Sequence, residues 1–296
     1  MSNLNVKFKR IDLETDLFQE AINFTAQVSG FNPELIEKDY FCSLVLSFLY
    51  GQESTLIFKG GTALNKVHLG FYRLSEDLDF SISMSVDSTR SQRSRAMDSI
   101  KKLFSEIPKA LPGLKISSAL TGRNDSLQYI GGLHYSSRLN TEPGAIQLEI
   151  GLREPSLWPV EKRFANTLLL DPVSGTTIAN SISVRVHSRI EAYAEKLRAA
   201  LTRRDPAIRD FFDIYHAVQN SILELADLEL AKLTQQKLAV PGNDFIGLTP
   251  ERIIMLKAQL ESELRPVLQD GIYQRFDFEK CLSMVRDFEK ELMPHL

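Results

Sequence analysis

Cysteine is scarce: two residues in 296, Cys42 and Cys281, lie far apart in apolar helical patterns. They can form neither a disulfide framework nor a thiolate metal cage, which is the usage expected of a reducing compartment. Long hydrophobic runs are missing as well. No stretch approaches the roughly 18 apolar residues that a membrane helix needs, and the segment from Met1 to Asp16 has no signal-peptide core. A strong charge of either sign is absent, since 35 basic residues face 38 acidic ones for a net charge of −3. That excludes a histone-like coat but leaves room for a local basic groove. Internal repeats and low-complexity tracts are absent too. These absences predict a cytoplasmic protein with no membrane partner. What remains is 43% hydrophobic and 25% charged, the balance of an ordinary folded protein, at a length that suits about two domains.

The first part of the chain alternates helix and strand signals. Asn32-Pro33-Glu34 opens a helix whose apolar positions are Ile36, Tyr40, Leu44, Val45 and Phe48, and Gly51 ends it. Thr55 to Phe58 reads as a strand, Gly60-Gly61 as the opening of a helix over Ala63 to Leu69, and Leu78 to Ser83 as a second strand. Met84 to Arg95 reads as a polar loop leading to a helix from Ala96 to Ile107. Further strands are expected at Leu114 to Leu120, Gln128 to Tyr135, Ala145 to Leu152 and Ile182 to Val186. After Ser188 every signal is helical: Ser188-x-x-Glu191 is a capping box, and Asp205-Pro206 and Thr249-Pro250 are candidate caps. The expected organisation is an α+β domain over 1–187, with helices at its N-terminal end, and a helical domain over 188–296.

The chemistry concentrates around the second strand. There Leu78, Phe80 and Ile82 point one way, and Asp77, Asp79 and Ser81 the other. Carboxylates at i and i+2 stand on backbones roughly 6.6–6.8 Å apart, close enough for their side chains to converge on divalent cations. Hard oxygen ligands on a rigid strand suit Mg²⁺. The preceding Gly60-Gly61 pair offers exposed backbone N–H groups as a phosphate cradle, and Thr62 adds a hydroxyl. Alone, an Asp-x-Asp is usually solvated surface and a Gly-Gly pair usually a turn. In strand–Gly-Gly–helix–strand order they read as a nucleoside triphosphate site with a metal. Glu149 supplies a third carboxylate, on the face opposite Ile146, Leu148, Ile150 and Leu152, with Gly151 leaving room beside it. In the helical part Lys196 flanks the apolar stripe of Ile190, Tyr193, Ala194, Leu197 and Leu201, where its stem can lie on the core. Asp210 and Asp213 share one helix face further on, and the bland reading of Arg209 with Asp213 is an ordinary i, i+4 pair.

The set Ile36-Glu-Lys-Asp-Tyr40, Lys59-Gly-Gly-Thr-Ala-Leu64, Arg73-Leu-Ser-Glu-Asp-Leu-Asp-Phe80, Gln147-Leu-Glu149, Glu195-Lys-Leu-Arg-Ala199 and Arg209-Asp-Phe-Phe-Asp213 resembles the AbiEii/AbiGii nucleotidyltransferase toxins. The glycines are followed here by Thr62, where many nucleotidyltransferases carry serine. The resemblance implies a DNA polymerase β-like core with a mixed sheet and a C-terminal helical lobe. It also implies the toxin half of a type IV toxin–antitoxin pair, associated with abortive infection and phage defence and encoded beside its antitoxin. The expected activity is Mg²⁺-dependent transfer of a nucleotide from a nucleoside triphosphate, GTP or CTP, to an acceptor such as tRNA. On that reading Asp77, Asp79 and Glu149 hold the metal, and Gly60, Gly61 and Thr62 cradle phosphate. Arg73 and Ser75 bond phosphate or fix the strand. Lys196 and Arg204 neutralise charge, and Asp210 and Asp213 orient Lys196 or act directly. Two other readings stand beside it: a nucleotide-binding protein that sequesters a partner without chemistry, and a nucleotidyltransferase acting on a small molecule.

Overall fold

Asn32 begins the central helix of the first half by accepting a hydrogen bond from the Glu34 backbone N–H, with Pro33 in the first helical position. The computed structural model describes residues 8–52 and 54–292. It separates into two compact units, one running to Ser156 and resuming over Val160–Val186, the other comprising Leu157–Pro159 and everything from His187 onward.

The first unit opens with α1 (Thr15–Ser29) and α2 (Pro33–Tyr50). The chain then runs through β1 (Ile57–Lys59), α3 (Gly60–Ala63), a π-helical turn over Leu64–Leu69, and β2 (Leu78–Ser81). Next come α4 (Arg90–Ala96), α5 (Asp98–Ala110), β3 (Leu114–Arg123), β4 (Gln128–Tyr135), β5 (Gly144–Gly151), β6 (Glu161–Ala165) and β7 (Ile182–Val186). The strands form one mixed sheet in the order β3-β4-β5-β2-β1-β7-β6, parallel where β2 meets β5 and where β1 meets β7. Leu78, Phe80, Leu148 and Ile150 turn one face of it into a core shared with Phe41, Leu44, Phe48 and Phe104. Phe41 stacks on Tyr135 with ring centroids 4.1 Å apart. Helix α2 is buried on nearly every side, Glu37 and Asp39 included, so it is a central helix and not an amphipathic surface one.

Two helix starts and one strand differ from expectation. Arg90–Ala96 is helical, because Thr89 and Gln92 form a complete capping box inside what reads as a polar loop. The strand Glu161–Ala165 escapes pattern reading: it is a short edge strand with charged residues and little alternation. Asp205-Pro206 caps nothing. Helix α7 begins at Ile208, whose N–H is satisfied by Gln259 Oε1 at 2.8 Å, while Gln259 Nε2 donates to the Pro206 carbonyl.

The second unit is built from α6 (Arg189–Thr202), α7 (Ile208–Gln219), α8 (Leu228–Leu238), α9 (Pro250–Gln259), the short α10 (Asp270–Tyr273) and α11 (Phe278–Leu292). Ser188 caps α6 by accepting from the Glu191 N–H, but Glu191 does not close the expected box. Its carboxylate instead accepts from the Leu157 and Trp158 N–H groups, both at 3.0 Å, and from Lys237 Nζ at 3.2 Å. Burial pushes the Glu191 carboxyl up. His187, Lys237 and the Leu157 N–H outweigh it, and the group falls to about 2. Cys42 and Cys281 are free, buried thiols. No helix among the described residues is long and apolar enough to cross a membrane.

Candidate active site

Strand register builds the centre of the site. In the antiparallel pair β1–β2, Lys59 stands opposite Asp79, and in the parallel pair β2–β5, Asp79 stands opposite Glu149. The three charged residues therefore lie in one row on one face of the sheet. The neighbouring row, Phe58, Phe80 and Ile150, is buried on the other face. Asp77 precedes β2 and is half-buried like Asp79 and Glu149.

The glycine pair is shaped by what packs on it. Gly60 has φ +73°, and a Cβ there would come within 2.3 Å of Asp79 Oδ2, so the Asp79 carboxylate rests directly on the glycine backbone. A Cβ on Gly61 would meet Arg73 Nη2 at 2.2 Å and Ser75 Oγ at 3.2 Å. Arg73 is only 2% exposed and donates from Nη1 to its neighbour's carbonyl, that of Leu74, at 2.8 Å. A guanidinium so enclosed lies against the Gly61 backbone and braces the loop before β2. Thr62 also has a partner within the fold. It is buried and its hydroxyl donates to the Asp77 carbonyl at 2.5 Å, tying the glycine helix to the aspartate strand.

Asp39 on α2 and Lys66 in the π-helical turn after α3 form a buried pair. Lys66 is fully buried, with Nζ 2.7 Å from Asp39 Oδ1 and 2.8 Å from Ser43 Oγ. Glu37, also buried, accepts from Ser137 Oγ and the Arg138 N–H at 2.7 and 2.6 Å. Two charged residues of the Ile36–Tyr40 motif thus act as internal struts.

In the second unit Lys196 sits between two buried carboxylates, its Nζ 2.6 Å from Asp210 Oδ1 and 2.9 Å from Asp213 Oδ2. Arg203 reaches Asp210 Oδ2 at 2.8 Å. Burial pushes the Asp210 carboxyl up, but Arg203 and then Lys196 outweigh it and hold the group below the ordinary carboxylate range. Arg204 is exposed.

Among the described residues no three His, Cys, Asp or Glu side chains form a ready metal cage. Asp79 and Glu149 do stand opposite each other on paired strands, with Asp77 two residues before Asp79. The residue that pattern reading passed over is Lys59. Its signal was available: it follows the inward Phe58 and so shares the outward face with the carboxylates.

The sequence matches the family described as Nucleotidyl transferase AbiEii toxin, Type IV TA system, over residues 47–291. Among solved structures, JHP933 from Helicobacter pylori is 17% identical, with 97% of this chain and 95% of that one covered at a TM-score of 0.45. A second H. pylori structure, described as a candidate nucleotidyltransferase, is 16% identical, with 97% and 99% covered at a TM-score of 0.44. Neither likeness bears on activity. No curated protein matches the chain significantly. With most of its length matched, and with the glycine pair, the Asp-x-Asp strand and the third carboxylate all inside the match, the chain belongs to the AbiEii nucleotidyl transferase toxin family of type IV toxin–antitoxin systems.

Proposed function

We propose that this protein acts in the cytoplasm as a Mg²⁺-dependent nucleotidyltransferase toxin. It transfers a nucleotide from a nucleoside triphosphate, GTP or CTP, to an RNA acceptor of the tRNA class, and a cognate antitoxin encoded nearby restrains it. The observation that carries this reading is the strand register that sets Asp79 beside Glu149 while Gly60 underlies the Asp79 carboxylate.

The donor set is all oxygen, which suits Mg²⁺. That ion takes one or two carboxylates and keeps its other positions for water and substrate phosphates, so a preformed three-ligand cage is not required. Asp77, Asp79 and Glu149 would hold it, and when bound it neutralises the triphosphate and polarises the phosphorus under attack. Gly60 and Gly61 turn backbone N–H groups towards phosphate oxygens. Thr62 and Arg73, with Ser75 beside them, keep the glycine helix and the aspartate strand in register. Glu149 orients the attacking hydroxyl and accepts its proton as the new O–P bond forms and pyrophosphate leaves. Lys196, set by Asp210 and Asp213, and Arg204 supply positive charge to the triphosphate. Phosphoryl transfer asks a protein for positioning and electrostatics more than for covalent chemistry, and apart from the proton taken by Glu149 every assigned role is of that kind.

The test is pyrophosphate release from labelled nucleoside triphosphates with purified RNA, beside growth arrest on expression. Asp77→Asn and Asp79→Asn are nearly isosteric and should abolish both at equal protein levels. Growth arrest that survives both substitutions would sink the carboxylate assignment. Release that needs no RNA would favour a small-molecule acceptor, and nucleotide binding without release would favour sequestration.

A further inference from the structure

Lys59 has no part in the reading above, yet it stands in the row of the carboxylates. Its side chain does not stop there. The ammonium lies 3.8 Å from the point where a Cβ would sit on Gly151, so it crosses β2 diagonally and ends above β5. Gly151 pairs with Ser81 and lies two residues along from Glu149, on the same face. A cation from two strands away therefore borders the open space beside Gly151.

The physical need for it follows from the register. Asp79 and Glu149 are directly opposite on paired strands, and like charges in that position repel. On the other side of Asp79, directly opposite again, stands Lys59.

We infer that Lys59 is a positioning residue, a built-in counter-cation that offsets the repulsion between Asp79 and Glu149 and keeps the carboxylate row assembled before a divalent cation arrives. The inference rests on the metal-site reading for its consequence but not for its geometry. Two results follow. Removing the ammonium destabilises the protein only while Asp79 carries its charge. It also tightens binding of a divalent cation, because one competing positive charge is gone.

The experiment uses the full chain without nucleotide. Thermal midpoints are measured for Lys59→Met, Asp79→Asn and the double variant, and Mn²⁺ affinity is measured by electron paramagnetic resonance for wild type, Lys59→Met and Lys59→Arg. Lys59→Met should lower the midpoint by about 2–4 °C, and the loss should vanish in the Asp79→Asn background. Mn²⁺ should bind about tenfold more tightly to Lys59→Met, with Lys59→Arg restoring the wild-type value. An equal midpoint loss in both backgrounds with unchanged Mn²⁺ affinity would make Lys59 a packing residue and overturn the inference. If Lys59→Met does not fold alone, recovery of folded protein on adding Asp79→Asn reads the same coupling, and no recovery overturns it. Coupled midpoints with no Mn²⁺ binding in any variant would uphold the counter-cation and instead defeat the metal reading of the preceding subsection.

Discussion

Gly60 shows how much one missing methyl group decides. Its φ of +73° is a conformation that costs an L side chain about 1–2 kcal/mol, and a Cβ would also stand 2.3 Å from Asp79 Oδ2. Gly60→Ala should therefore displace the Asp79 carboxylate and lose most transferase activity for a stability cost of only that size, measured as turnover per folded molecule. A fully active Gly60→Ala would show that the contact is incidental. Lys196 gives the opposite balance. Lys196→Ala should cut turnover by about 10²–10³, the scale of one preorganised contact. It should also cost about 3–5 kcal/mol, because Asp210 and Asp213 are left buried without their shared cation. Lys232→Ala, on the exposed side of α8, should change neither, and a matching loss of turnover there would show that the Lys196 effect is not specific to its place. The carboxylates and glycines could be read along the chain because their chemistry is local to a few residues. The partners of Thr62 and Arg73 could not, since a hydroxyl or a guanidinium shows its bond only once the fold has closed around it.

At the scale of elements, α6 is held at its start by Glu191, which also collects the Leu157–Trp158 backbone. Its folded-state pKa of about 2 lies below the unfolded carboxylate value of about 4.3. A depressed carboxylate stabilises fully above the unfolded value and loses that stabilisation as pH falls towards the folded one. Glu191→Gln should therefore unfold well below wild type at neutral pH, and the gap in midpoint should close as pH drops from about 4.3 to about 2. A gap that stays constant with pH would assign the loss to packing. The capping signature Ser188-x-x-Glu191 located the helix correctly but not the second half of its box, because a distant lysine and two backbone donors compete for the same carboxylate. The same competition defeated Asp205-Pro206, where Gln259 from α9 satisfies the start of α7 instead.

For the whole molecule the question is how a chain of net charge −3 would hold RNA. Any such affinity must come from a few lysine and arginine contacts with phosphate. Binding should then weaken linearly in log K against log salt, with a slope near 0.7 per contacted phosphate on a single strand. Arg203 and Arg204 are both exposed, and Arg203 is in addition engaged by Asp210. Arg204→Glu should weaken RNA binding and flatten the salt slope. A salt-independent interaction would point to a different acceptor.

The sequence alone was enough for the α+β class, the order of its principal elements, the family, and the face on which Asp79 and Glu149 stand. These follow from side-chain periodicity and from motifs a few residues long, which act over one or two turns or strand steps. Only the tertiary structure decided that Asp79 lies beside Glu149 and Lys59, that Lys66 and Asp39 form a buried pair, and that Lys196 is shared by two carboxylates. Each of these joins residues 14 to 70 positions apart in the numbering, or across one strand pair whose register a linear pattern does not encode. Periodicity tells a residue which way to face; packing and strand pairing choose what it meets there.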